Sequence, residues 1–201
     1  MHLKFSRDIE KLLKQLSDKP LTVSDILAET SERGFSLVIG LLVLPFLFPM
    51  PPGFTAILGA GSLLLGLQMA LGRRTPWLPK KIARFRFPHK FVLLLLNNLK
   101  RGTGWIEKIA KPRWKKLADH PYAWRFNGLC IAWLTILLML PIPFTNPIPT
   151  IAILLFVVAT MESDGLLIFL SYILTGLISL LFILAGDFLV QLINRIPSLM
   201  Q

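Results

Sequence analysis

The chain is short of charge. Of its 201 residues only 16% are Asp, Glu, Lys or Arg, against about 25% in an ordinary soluble domain. None of its Lys or Arg residues falls inside four apolar runs, 34–48, 54–71, 126–140 and 150–161. Runs of that kind do not suit one or two soluble domains of this length. Cysteine occurs once, as Cys130. An intramolecular disulfide is therefore excluded, and in its apolar setting Cys130 reads as a small core residue. His2, His89 and His120 are scattered and form no metal-ligand spacing. A glycine-rich phosphate loop, a GxSxG elbow and an HExxH pair are all missing, as is any visible nucleophile–base pair. The sequence accordingly predicts no enzyme, no metal and no cofactor. The opening MHLKFSRDIEKLLKQL is charged throughout, so it lacks the apolar core of a secretory signal.

What is there is apolar. Hydrophobic residues make up 54% of the chain, and the mean hydropathy is +0.63. Two proline-studded breaks interrupt the apolar runs: LPFLFPMPPGF (Leu44 to Phe54) and LMLPIPFTNPIPTI (Leu138 to Ile151). Proline removes a backbone donor and blocks a helix, and Gly53 permits a sharp redirection. Pro49, Pro51, Pro52 and Gly53 are the expected hinge of the first break; Pro141, Pro143 and Pro147 are that of the second. Broken apolar helices at matching places in two halves point to a polar site where the breaks meet. The expected fold is all-α: a polytopic integral membrane protein of two proline-broken helical hairpins and a C-terminal spanning helix.

The expected organisation has five parts. Residues 1–33 form cytoplasmic or interfacial helices, with Phe5, Ile9, Leu12, Leu13 and Leu16 on one face. Residues 34–72 are the first hairpin, 73–125 a basic and aromatic interfacial linker, and 126–163 the second hairpin. Residues 164–201 hold a spanning helix from about Gly165 to Val190, with a tail. The shorter runs of fourteen residues rise about 21 Å, against a hydrocarbon core of about 30 Å. Each pair thus reads either as a re-entrant hairpin or as two tilted spans; near-full span for 54–71 with re-entrant proline tips is preferred.

The net charge of +11 is unevenly placed. Six of the 22 Lys and Arg precede the first apolar run, fifteen lie from Arg73 to Arg125, and only Arg195 follows. Cations flanking apolar segments mark the cytoplasmic side. The N-terminus and 73–125 are therefore expected to share that side of a bacterial inner membrane. Basic residues interleaved with Trp77, Trp105, Trp114, Tyr122 and Trp124 suit anionic headgroups. A nucleic-acid groove is the competing reading of that pattern, and it is not preferred. The expected partners are the bilayer with its anionic headgroups, a second copy of the chain, and an unidentified small molecule or ion.

Sliding the chain by 92 residues lays Arg33 on Arg125, Pro49 and Pro51 on Pro141 and Pro143, and Met69 on Met161. Leucine matches are cheap in apolar sequence, whereas the arginine and the paired P-x-P at one offset are not. The sequence thus predicts a duplication. Charge on one side favours parallel repeats.

The run ERGFSLVIGLLVLPFLFPMPPGFTAILGAGSLLLGLQMALGRRTPWLP, with LMLPIPFTNPIPTIAILLF and MESDGLLI in the second half, resembles the exopolysaccharide synthesis ExoD family of bacterial membrane proteins. The resemblance covers about residues 20 to 190. Ser163 departs from the Glu-Arg-Asp-Gly closing common in that family. The resemblance implies an inner-membrane protein associated with exopolysaccharide production, without settled catalytic residues or substrate.

The candidate binding residues are Arg33, Gln68, Arg73, Arg125, Thr145, Asn146, Glu162 and Asp164. Ionisable or amide groups within apolar helices are costly to bury and point to function. Each also has a plainer reading. Asp164 caps the last helix, Gln68 hydrogen-bonds across helices, and Asn146 satisfies free backbone groups at the break. The sharper reading pairs Glu162 or Asp164 with an arginine at the same surface. The expected function is a transporter or export accessory. The alternative is a non-transporting assembly or regulatory protein that works through 73–125.

Overall fold

The computed structural model describes residues 34–47, 52–84, 110–140 and 145–199. All regular structure among them is helical. The helices are α1 (Gly34–Val43), α2 (Pro52–Ala70), α3 (Lys80–Ala83), α4 (Lys115–Ala118), α5 (Pro121–Met139), α6 (Pro147–Met161) and α7 (Gly165–Leu199), with a 3-10 helix (Leu44–Leu47) after α1. The expected N-terminal helices and residues 85–109 of the expected 73–125 linker lie outside the described residues.

The prolines decide where helices start and stop. α1 gives way to 3-10 geometry at Leu44, one residue before Pro45, because Pro45 cannot supply the α-helical donor. The apolar run therefore ends as α-helix earlier than its composition suggests. Pro52 and Gly53, expected at a hinge, are instead the first residues of α2. Pro147, likewise expected at a hinge, opens α6. Proline is tolerated in a first helical turn because the missing N–H would have no partner there anyway. Pro49, Pro51, Pro141 and Pro143 lie outside the described residues. α5 begins at Pro121, with the His120 side chain accepting from the Tyr122 N–H at 3.3 Å. The last residues of the expected linker are thus its first turn.

Two antiparallel hairpins pack face to face. Phe35 meets Trp124 edge-on at 5.8 Å between ring centroids. A side chain at Gly72 would meet Arg125 Nε at 2.9 Å. Asn127 Nδ2 approaches Thr160 Oγ1 at 3.5 Å. These contacts gather the start of α1, the end of α2, the start of α5 and the end of α6 at one end of the bundle. The described flanks of both proline breaks consequently lie at the other. Every described side chain from Phe35 to Phe46 is buried, as an all-apolar helix requires.

The most extensive interface joins α2 to α5 across the two halves. Its centre is a pair of glycines. A Cβ at Gly66 would sit 2.9 Å from Ala132 N, and one at Gly128 would sit 2.5 Å from Met69 Cβ and 2.7 Å from Gly66 O. Glycine lets the two backbones touch. Ser62 and Thr135 hydroxyls meet at 3.1 Å beside them, with Thr135 donating to Ile131 O at 2.7 Å.

α2 and α6 end alike. Arg73 N donates to Gln68 O at 3.0 Å, and Asp164 N donates to Ala159 O at 2.9 Å. Each is the six-to-one bond of a Schellman cap. The left-handed residue it needs is Gly72 at φ 82° in the first case and Ser163 at φ 53° in the second.

α5 and the Gly165–Asp187 part of α7 are the two described helices long and apolar enough to cross a membrane. They differ in setting: 61% of the α5 stretch is buried but only 28% of the α7 stretch. α7 lies on the outside, exposing Phe169, Leu170, Ile173, Leu177, Leu180 and Leu184.

Gly128→Ala should destabilise the protein by about 1–3 kcal/mol through overpacking, read as a lower melting temperature in detergent. Gly176→Ala, whose Cβ would meet nothing within 4 Å, should leave melting within about 0.5 kcal/mol of the parent. Ser163→Gly should raise melting by relieving a left-handed strain of about 1 kcal/mol.

Candidate functional site

At the break end the polar groups come from the second break. Asn146 precedes α6 but has helical backbone angles, φ −53° and ψ −38°. A side-chain cap needs an extended residue at that position, so Asn146 makes no side-chain cap bond. Its backbone carbonyl is used twice, by Thr150 N at 3.2 Å and by the Thr150 hydroxyl at 2.7 Å. Its side-chain Oδ1 is buried and has no hydrogen-bond partner. The plainer expectation, that Asn146 serves the free backbone groups, is thus not met by Oδ1. Thr145 O accepts from Ile148 N at 3.1 Å. α1, α2, α5 and α6 bring no ionisable side chain to this end. Among the described residues of α1, α2, α5 and α6 this end offers neutral hydrogen-bonding groups.

The remaining described candidates lie at the opposite end, about two dozen ångströms away by the length of α6. There Gln68 and Asp164 act on backbone. Gln68, 5% exposed, donates from Nε2 to Trp77 O at 2.6 Å and accepts from Trp77 N at Oε1 at 2.8 Å. The expected bond across helices is replaced by a two-point clamp on the loop that follows its own helix. The loop then turns back beside α2, where Ile82 Cγ2 lies 3.0 Å from the Cβ position of Gly61.

Asp164 forms the second clamp. Its side chain is fully buried. Oδ1 accepts from Leu166 N at 3.0 Å and from Leu167 N at 3.2 Å, capping α7. Oδ2 accepts from Lys111 N at 2.9 Å. Next to it Gly165 N donates to Arg113 O at 2.7 Å. A Cβ on Gly165 would meet Trp114 O at 2.6 Å, so the glycine is needed for that approach. The capping role of Asp164 holds, and three amides occupy the carboxylate that the sharper expectation gave to an arginine. Glu162 lies two residues before it, half-buried.

Arg73 and Arg125 are exposed at the same end. Arg73 O accepts from Trp124 Nε1 at 3.2 Å, and Arg74 stacks over the Trp124 ring at 4.8 Å. Arg125 lies over Gly72. Arg33 is outside the described residues. The structure therefore brings Gln68, Arg73, Arg125, Glu162 and Asp164 to one end and leaves Thr145 and Asn146 at the other.

A third polar group was absent from the expectations. Tyr172 donates to Asn127 Oδ1 at 2.6 Å, joining α7 to α5, and Phe126 and Phe156 pack on the Tyr172 ring. Asn127 is the amide within an otherwise apolar run, which is the signal that could have singled it out. Cys130 is a buried free thiol, as expected.

Asp164→Ala leaves three amides without their acceptor and should destabilise by about 1–3 kcal/mol. Hydrogen exchange should quicken at Lys111, Leu166 and Leu167. Gln68→Ala should quicken exchange at Trp77 and leave Lys111 protected.

No solved structure matches the chain. The chain is 34% identical to Protein ExoD of Rhizobium meliloti (strain 1021) over 164 residues, covering 78% of this chain and 67% of that protein. It is 29% identical to the uncharacterized protein slr1875 of Synechocystis sp. over 168 residues, covering 81% of this chain and 77% of that protein. The family described as exopolysaccharide synthesis, ExoD, matches residues 5–184. By that match, and by the identity with Protein ExoD, the chain belongs to the exopolysaccharide synthesis ExoD family.

Proposed function

We propose that this protein is a multi-pass bacterial inner-membrane protein that moves a small polar molecule or ion, or assists its export, during exopolysaccharide production. The family links the chain to exopolysaccharide synthesis. Membrane residence is supported by the two long apolar helices and by the apolar outer face of α7. Exposed leucines and phenylalanines over such an area would be unfavourable in water. The described cations from Arg73 to Arg125 stay clear of the break end, which favours a cytoplasmic basic end.

The single observation that carries the transport reading is the buried, unpartnered Oδ1 of Asn146 at the second break. A buried acceptor without a donor costs about 1–3 kcal/mol and calls for a ligand. Neutral oxygens at a broken helix suit a cation or a hydroxyl-bearing molecule.

Duplication fits the packing. At the 92-residue offset α1 overlays α5 and α2 overlays α6. The contact between Gly40 and Val157 then corresponds to Ala132 against Leu65, beside the Gly66–Ala132 contact. Both breaks share one end, so the repeats would be parallel. α3 lies level with Gly61, about 14 Å below the end of α2, and its exposed Lys80 and Lys81 favour a first hairpin that is re-entrant on that side.

Flux of ions and sugars into proteoliposomes, with and without a pH gradient, tests transport. Asn146→Ala should slow flux about tenfold, the weight of one contact of ~1.4 kcal/mol, with melting not lowered. Absence of flux under every gradient would move the weight to a second reading, assembly or regulation through the basic end, which the two loop clamps favour.

A further inference from the structure

The sharpest backbone anomaly among the described residues sits on an exposed tryptophan. Trp114 has φ 47° and ψ 45°, a left-handed conformation that a bulky residue rarely adopts. Its side chain is 61% exposed. Strain of this kind persists only where the surroundings impose it, and here they do. Lys111 N is held by Asp164, Arg113 O is held by Gly165 N, and Trp114 packs its backbone on the bare Cα of Gly165. The buried carboxylate thus fixes a turn that projects an indole outward. Four cations surround it, Lys111, Arg113, Lys115 and Lys116, all exposed. Among the described residues none of the four is in an ion pair. Leu117 adds an exposed apolar side chain.

The Gln68 clamp repeats the device on the other repeat. It fixes Trp77, also largely exposed, between Arg73 and Arg74 on one side and Lys80 and Lys81 on the other. In both loops a buried polar side chain at the end of a hairpin's second helix holds an outward tryptophan among exposed cations.

We infer that the clamped Trp114 turn, with the Trp77 turn as its counterpart, is a binding surface for anionic phospholipid headgroups. The inference rests on the membrane part of the proposed function and is independent of transport. An indole is amphipathic and settles where hydrocarbon meets water. Cations beside it meet the phosphate layer. The turn adjoins the first turn of α7, whose outer face is apolar from Phe169 onward, so bilayer surface is what lies alongside it. Pinning the turn before binding removes the ordering cost that a mobile loop would carry.

The test uses the full chain in nanodiscs, with tryptophan emission quenched by a spin label on the headgroup of phosphatidylglycerol or of phosphatidylcholine. The share of Trp114 is the difference from Trp114→Phe. Labelled phosphatidylglycerol should quench that share at least about fivefold more than labelled phosphatidylcholine, the weight of one cation near an anionic surface. Replacing Lys111, Arg113, Lys115 and Lys116 by Gln should abolish the preference. If the fourfold variant fails to fold, Lys115→Gln and Lys116→Gln alone should each reduce it. Equal quenching by the two lipids, or a preference that survives these substitutions, overturns the inference. So does dextran sulfate displacing the labelled phosphatidylglycerol and binding equally well to protein in plain phosphatidylcholine, which would mark a soluble polyanion site. Extraction of the chain from vesicles by alkaline carbonate would instead sink the membrane reading itself.

Discussion

The bare-backbone crossing of α2 and α5 at Gly66 and Gly128 is the contact on which the architecture turns. It joins the second helix of one hairpin to the first helix of the next. With Cα against carbonyl there, the Ser62–Thr135 hydroxyl pair comes within bonding distance. Gly72 comes under Arg125. A larger residue at either glycine would push the helices apart and separate both sets of groups. Helices without a hydrophobic drive to associate depend on such close approach and on a few polar bonds. The bundle has both, at one crossing.

Chemistry then sorts by end. The break end holds neutral oxygen and amide groups, and its helices contribute no charge. The opposite end is cationic and aromatic. Among its buried polar residues, Gln68 and Asp164 are spent on backbone groups and shape loops, while Asn127 is bonded to Tyr172. The polar side chain left over is Asn146, and it is left over because its own residue is helical and cannot turn back to cap.

Much of this was legible from residue order alone. The all-helical fold, the ends of α2 and α6 and the start of α7 followed from apolar runs, Pro and Gly, whereas α7 runs on to Leu199, past the end expected near Val190. The capping role of Asp164 followed from its place before Gly165. The resemblance to the ExoD family was carried by the same motifs. Helix starts were placed late because Pro52 and Pro147 were taken as hinges, whereas they, like Pro121, are helix openers and Pro45 is the one that tightens the chain. Gln68 was read across helices because the partner, a backbone N–H and C=O nine residues on, has no side-chain signature. Nothing in the spelling of PRWKK announces the left-handed Trp114; that geometry comes from a glycine far along the chain. Asn127 was passed over because its partner Tyr172 sits on another helix.

The Lys111 amide and the Asp164 carboxylate are 53 residues apart in sequence. During synthesis the basic turn leaves the ribosome well before its clamp exists. The turn must wait, unformed, while α5 and α6 are made and paired. It locks only when Asp164 and the first turn of α7 arrive. Completion of the second hairpin is thus what sets the shape of the segment before it. That order makes the clamp a late step, closing only once the second hairpin has been made.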